Sequence, residues 1–147
     1  MPLRAFKVKE LSLPMWTKPQ IYQPDLPPAM IVHGLTQIRR ALALAQPMTL
    51  LSSPGAASAW GGLWWQSLLA AADYNGAALL DCATSPGRAV EALELGLAGI
   101  ILAPCPAWPD VAALATQKQA LLLTTAPASL DLGQKHSERD LIAWLGG

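Results

Sequence analysis

The sequence predicts an α/β fold built on a parallel sheet, and three observations carry that expectation. Five short apolar runs, Met30–His33, Met48–Ser52, Ala77–Cys82, Gly99–Ala103 and Ala120–Thr125, each end in a small-residue turn. A segment with helical spacing follows each run, which is the rhythm of repeated βα units. The 147 residues are enough for one domain with its own core. The expected architecture is a single three-layer α/β/α sandwich, flavodoxin-like, on a five-stranded sheet ordered 2-1-3-4-5. Half of a (β/α)8 barrel, dimerised, is the alternative.

Residues 1–28 read as an extended arm before the α/β domain of residues 29–147. The arm holds Pro2, Pro14, Pro19, Pro24, Pro27 and Pro28, with Trp16 and Tyr22 between them. Proline fixes φ and removes a donor, so the segment is not helical. Phe6–Leu13 has the pattern of one edge strand. Two readings stay open: an arm along its own domain, which is favoured, or one that reaches a neighbouring subunit with Trp16 as anchor.

The first helix is expected over Leu35–Ala45, where Leu35, Ile38, Leu42 and Ala45 form a core-facing stripe. The second, Ala57–Asp73, is the most apolar. Trp60, Leu63, Trp64, Ser67, Leu68 and Ala71 make its sheet-facing stripe, and Trp65, Leu69 and Ala72 widen it by about 100°. Such a helix is covered on two sides, so self-association through the Trp65/Leu69 face is expected, with the arm as the competing cover. The third helix opens at Ser85 with Pro86 at its first position. The fourth starts near Pro109-Asp110. The fifth starts at Ser137, with Asp140 completing a short capping box.

Composition narrows the partners. Ten basic and ten acidic side chains cancel, which argues against nucleic acid and against an anionic membrane surface. Charged residues make up 14%, against a usual ~25%, so some apolar surface is expected to be buried between subunits. The stretch without charge between Arg40 and Asp73 is broken by Pro47, Pro54, Gly55, Gly61 and Gly62, and holds no membrane span. Two cysteines and no export signal at Met1–Leu13 point to the cytoplasm.

Parallel sheets bind ligands at the carboxyl ends of their strands, so the site is sought there. His33 closes the first run, while Asp81 and Cys82 close the third. In a 2-1-3-4-5 sheet these ends are neighbours, which makes His33, Asp81 and Cys82 catalytic candidates for acid–base or nucleophilic work. Equally, they read as a satisfied histidine, a capping aspartate and an inert thiol. Thr84, Ser85, Gly87 and Arg88 open the third helix and form a candidate site for a small anion; ordinary capping explains the same residues. Cys82 and Cys105 lack metal-ligand spacing, and no metal site is expected.

Other chemistries find no footing. There is no G-x-G-x-x-G and no Walker A motif. The lysines, Lys7, Lys9, Lys18, Lys118 and Lys135, avoid the strand ends, which disfavours a Schiff-base aldolase. Asp81 is the carboxylate at a strand end, with Asp131 beyond the fifth, too few for Mg²⁺-assisted phosphoryl transfer. A phosphoreceiver's acidic pair and lysine are replaced by His33-Gly34 and Thr124-Thr125.

The segments Thr49–Gly55 (TLLSSPG), Trp64-Trp65, Leu80–Cys82 (LDC) and Pro86–Ala89 (PGRA) resemble a family of small uncharacterised bacterial α/β proteins, over residues 30–132. The resemblance implies no activity and no catalytic residue. The functional expectation is therefore a non-catalytic domain that binds a small anionic ligand or serves in homo-oligomeric assembly. The alternative is a small-molecule enzyme, of lyase or hydrolase type, using His33, Asp81 and Cys82.

Overall fold

The computed structural model describes residues 25–146. Most of the expected arm, with Phe6–Leu13 and Trp16, lies outside them. The described chain runs β1 (Ala29–Ile31), α1 (Leu35–Leu42), β2 (Thr49–Leu51), α2 (Ala56–Trp60), α3 (Gly62–Ala71), β3 (Ala78–Asp81), α4 (Pro86–Glu94), β4 (Gly99–Ile101), α5 (Trp108–Lys118), β5 (Leu121–Leu123), β6 (Ser129–Asp131) and α6 (Glu138–Gly146). The fold is α/β on an all-parallel sheet, as expected.

Two expectations about the sheet are corrected. It has six strands rather than five, in the order β5-β4-β3-β2-β1-β6 rather than 2-1-3-4-5. The extra strand, β6, lies beside β1 with Ala29 opposite Ser129 and Ile31 opposite Asp131. Consequently β1 and β3 are separated by β2.

The order has a steric consequence. In a flat sheet, strands ~4.8 Å apart would put β5 and β6 roughly 24 Å from each other. Residues 124–128 join Leu123 to Ser129, a stretch that reaches at most about 20 Å. The same stretch must also return from the carboxyl end to the amino end. The sheet therefore curls.

Burial follows the curl. Met30, Leu50, Leu80 and Ile100 face a cluster that takes in buried residues from every helix, among them Ile38, Ala57, Trp65, Leu93, Val111 and Leu141. The alternate residues Leu51, Leu79, Ile101 and Leu123 pack with one another on the other face, joined by Leu26, Ile31 and Leu121. No described helical residue belongs to that second cluster. Successive right-handed crossovers in one direction place their helices on one side, which accounts for this.

The segment expected as one helix over Ala57–Asp73 is two. Gly61 adopts φ 86°, outside helical geometry, and α2 gives way to α3 there. Glycine tolerates this backbone where other residues are strained. The break resets the helical phase between Trp60 and α3, while Trp64 and Leu68 of the expected stripe still pack on the core. Trp65 is 1% exposed within the single chain and belongs to the core. Its ring therefore offers no surface to a second copy, which corrects the Trp65 half of the expected Trp65/Leu69 face; Leu69 is half-buried. Trp60 and Leu63, expected against the sheet, are 65% and 62% exposed. Among the described residues, no helix is long and apolar enough to cross a membrane.

The swap of faces is measurable. Trp65→Ala should cost about 3–5 kcal/mol in chemical denaturation, as large aromatic truncations in cores do. Trp60→Ala should change stability by less than about 1 kcal/mol, since its ring is largely in solvent. Equal losses from the two would contradict the assignment.

Candidate functional site

His33 and Asp131 form the candidate site, and their meeting follows from strand order. Val32 still pairs with β2 through its amide to the Leu51 carbonyl at 2.9 Å, so His33 emerges at the carboxyl edge of β1. Ile31 and Asp131 are partners across adjacent parallel strands and face the same way. His33, two residues after Ile31, shares that face. Its Nε2 lies 2.7 Å from Asp131 Oδ1.

Local chemistry fixes both partners. The His33 amide donates to Gln37 Oε1 at 2.8 Å, so the third residue of α1 holds the backbone just before the helix. Asp131 Oδ1 also accepts the Gly133 amide at 2.7 Å. A Cβ at Gly133 would stand 2.8 Å from His33 Nε2 and 3.0 Å from Asp131 Oδ1, so the absence of a side chain there lets the pair close. The His136 ring approaches the Asp131 carbonyl at 3.0 Å, and Arg40 donates to the His136 carbonyl. Ser137 and Asp140 then cap α6 reciprocally, as expected from the sequence.

The electrostatics set the roles. Partial desolvation acts to raise the Asp131 carboxyl, but the hydrogen bonds from His33 and Gly133 and the charges of His33 and His136 outweigh it and hold the carboxyl below its usual range. Asp131 is therefore ionised at neutral pH and only accepts. A neutral His33 ring can make this bond only with its proton on Nε2, which leaves the lone pair on Nδ1. The side chains of His33 and Asp131 are 39% and 31% exposed, so a ligand can reach them.

The other candidates are placed differently. Asp81 ends β3 on the face where no described helix packs, away from His33 by the width of β2. Its Oδ1 accepts the Ala83 amide at 2.8 Å and the Gly55 amide at 3.3 Å. Cys82 lies sealed on the helix side of the sheet. Burial first, then the negative charges of Asp81 and Glu91, push its thiol up to about 12, which removes it as a nucleophile. The expected convergence of His33, Asp81 and Cys82 is thus corrected: strand order parts His33 from the other two, and pleat parity parts Cys82 from Asp81. Ser85 Oγ caps α4 by accepting the Arg88 amide at 3.5 Å. Arg88 pairs with Glu91 at 3.1 Å, while Thr84 and Gly87 are exposed. The guanidinium is thus committed along the helix. Among the described residues, no three metal-ligating side chains gather.

Asp131 was legible in the sequence as a carboxylate past the fifth run, but its partner was not. The chain matches no protein-family model, no curated protein and no solved structure.

The pair makes a prediction about acid stability. A carboxyl whose folded pKa is depressed stabilises the fold above its unfolded pKa of about 3.9, and that contribution is lost as pH falls through the lower folded value. Wild-type stability should therefore fall across that acid window. Gly133→Ala, which drives a methyl between the two side chains, should flatten that limb while leaving the neutral-pH fold intact. An unchanged acid limb in this variant would contradict the pairing.

Proposed function

We propose that the protein is a small-molecule enzyme of lyase or hydrolase type, working at the carboxyl edge of its sheet with His33 as the proton-transfer group. The observation that carries this reading is the 2.7 Å contact between His33 Nε2 and Asp131 Oδ1 on a half-exposed edge. In this reading a substrate proton passes to Nδ1, and Asp131 stabilises the imidazolium that forms. The same ring then returns the proton to a leaving group or a product carbanion. A positioned histidine contributes about 10²–10⁴-fold. Asp81 and Cys82 take no part in the proton transfer.

The anion site at Thr84, Ser85, Gly87 and Arg88 draws less support, because Glu91 already neutralises Arg88. For the fold behind the site, the half (β/α)8 barrel is favoured over the flavodoxin-like sandwich. The sequential order of β1 to β5 and a second face on which no described helix packs support it. The resemblance of residues 30–132 to small bacterial α/β proteins adds no activity to this reading.

Self-association is a second reading, moved to a new face. Trp60 and Leu63 stand exposed in a stretch with no charge from residue 41 to 72, and Trp60 stacks on Trp64 with centroids 5.9 Å apart. The nearest charges, Arg88 and Glu91, neutralise each other, so the face carries no net charge to repel a second copy of itself.

Both readings have direct tests. A panel of small esters, amides and hydroxy acids should yield at least one substrate, and His33→Gln should lower its kcat by about 10²-fold or more while Cys82→Ala leaves it unchanged. A variant without His33 that keeps full activity would contradict the enzyme reading. In sedimentation at micromolar concentration the wild type should exceed monomer mass, and Trp60→Glu should return it to monomer. A monomeric wild type would contradict the association.

A further inference from the structure

Asp81 holds a buried acceptor, Oδ2, that no described residue fills. The residue is 9% exposed, at the carboxyl end of β3, on the face it shares with Leu79 and Ile101. Its backbone is held by donation to Ser52 Oγ at 2.9 Å, and Ser52 in turn bonds to the Ser53 carbonyl. Two backbone amides, from Gly55 and Ala83, converge on Oδ1. No hydrogen bond from a described residue reaches Oδ2. No described Lys, Arg or His nitrogen lies within ion-pair distance of the carboxylate. A buried charge without a counter-charge is costly, and a buried acceptor without a donor costs a hydrogen bond.

We infer that Asp81 Oδ2 receives the ammonium group of a small amine. The inference rests on the carboxyl edge being the binding site, as proposed above. An ammonium supplies both what the carboxylate lacks, a positive charge and N–H donors. A neutral hydroxyl supplies only the donor. The amides on Oδ1 hold the carboxylate in place before the ligand arrives, so little ordering is needed on binding. Between Asp81 on β3 and His33 on β1 lies β2, so the two are about 10 Å apart along the sheet. A ligand of amino-acid size, with its ammonium at Asp81, brings its other end to the His33 ring.

The test uses the full chain, labelled with ¹⁵N and titrated with ethylammonium, ethanol and acetate. The Gly55 and Ala83 amides report directly on the carboxylate. A ligand of three heavy atoms binds at best at about millimolar. Ethylammonium should shift both amides saturably, while ethanol and acetate should not. Asp81→Asn should weaken the ethylammonium effect by about tenfold or more, the value of a charge-assisted hydrogen bond. Equal shifts with ethanol, no saturable shift, or undiminished binding by Asp81→Asn would overturn the inference. The contrast between ethylammonium and ethanol decides the matter even if that variant fails to fold. His33→Gln should keep ethylammonium binding, so the failure of proton transfer at His33 and the failure of amine binding at Asp81 read out separately.

Discussion

The short link at residues 124–128 is the constraint on which the rest of this structure depends. It joins β5 to β6 across opposite edges of a six-stranded parallel sheet, and it is too short for a flat one. The sheet must curl, so one face turns inward and closes on its own leucines and isoleucine. The helices are left to cover the other face, where Trp65 and Ile38 meet the strands. Parallel strands buried on both faces need continuous apolar runs, and TLL, ALLD, GII and LLL supply them.

The same link creates the site. By returning the chain to the far edge, it lays β6 beside β1 and sets Asp131 across from Ile31. His33 then needs only the register to find its carboxylate. Gln37 and Gly133 tighten the arrangement, one by holding a backbone amide and the other by having no side chain. Two residues brought together from 98 positions apart in sequence make a compact polar pair on an otherwise apolar frame.

Much of the fold was legible because its signals are local. The five apolar runs contain β1 to β5 nearly as read, since burial on both faces demands such runs. Pro86 marks the start of α4, and Ser137 with Asp140 marks that of α6, because capping is a matter of three residues. What escaped is either non-local or too short. Ser129–Asp131 is three residues with one apolar member, Leu130, and only pairing with β1 makes it a strand. Strand order depends on that pairing, so the neighbours of His33 were misplaced and Asp131 was left unpartnered. The apolar spacing runs unbroken through Gly61-Gly62, but the positive φ at Gly61 ends one helix there, leaving Trp60 outward and Trp65 in the core.

The proposed proton transfer depends on Asp131 holding the His33 ring through Nε2 and leaving Nδ1 to the substrate. Proton and nitrogen NMR of the His33 ring at neutral pH tests it most directly. The account predicts a downfield, exchange-protected proton on Nε2 and an unprotonated Nδ1, with the Nε2 proton signal lost in Asp131→Asn. A proton on Nδ1 in the wild type, or a ring spectrum indifferent to Asp131→Asn, would contradict it.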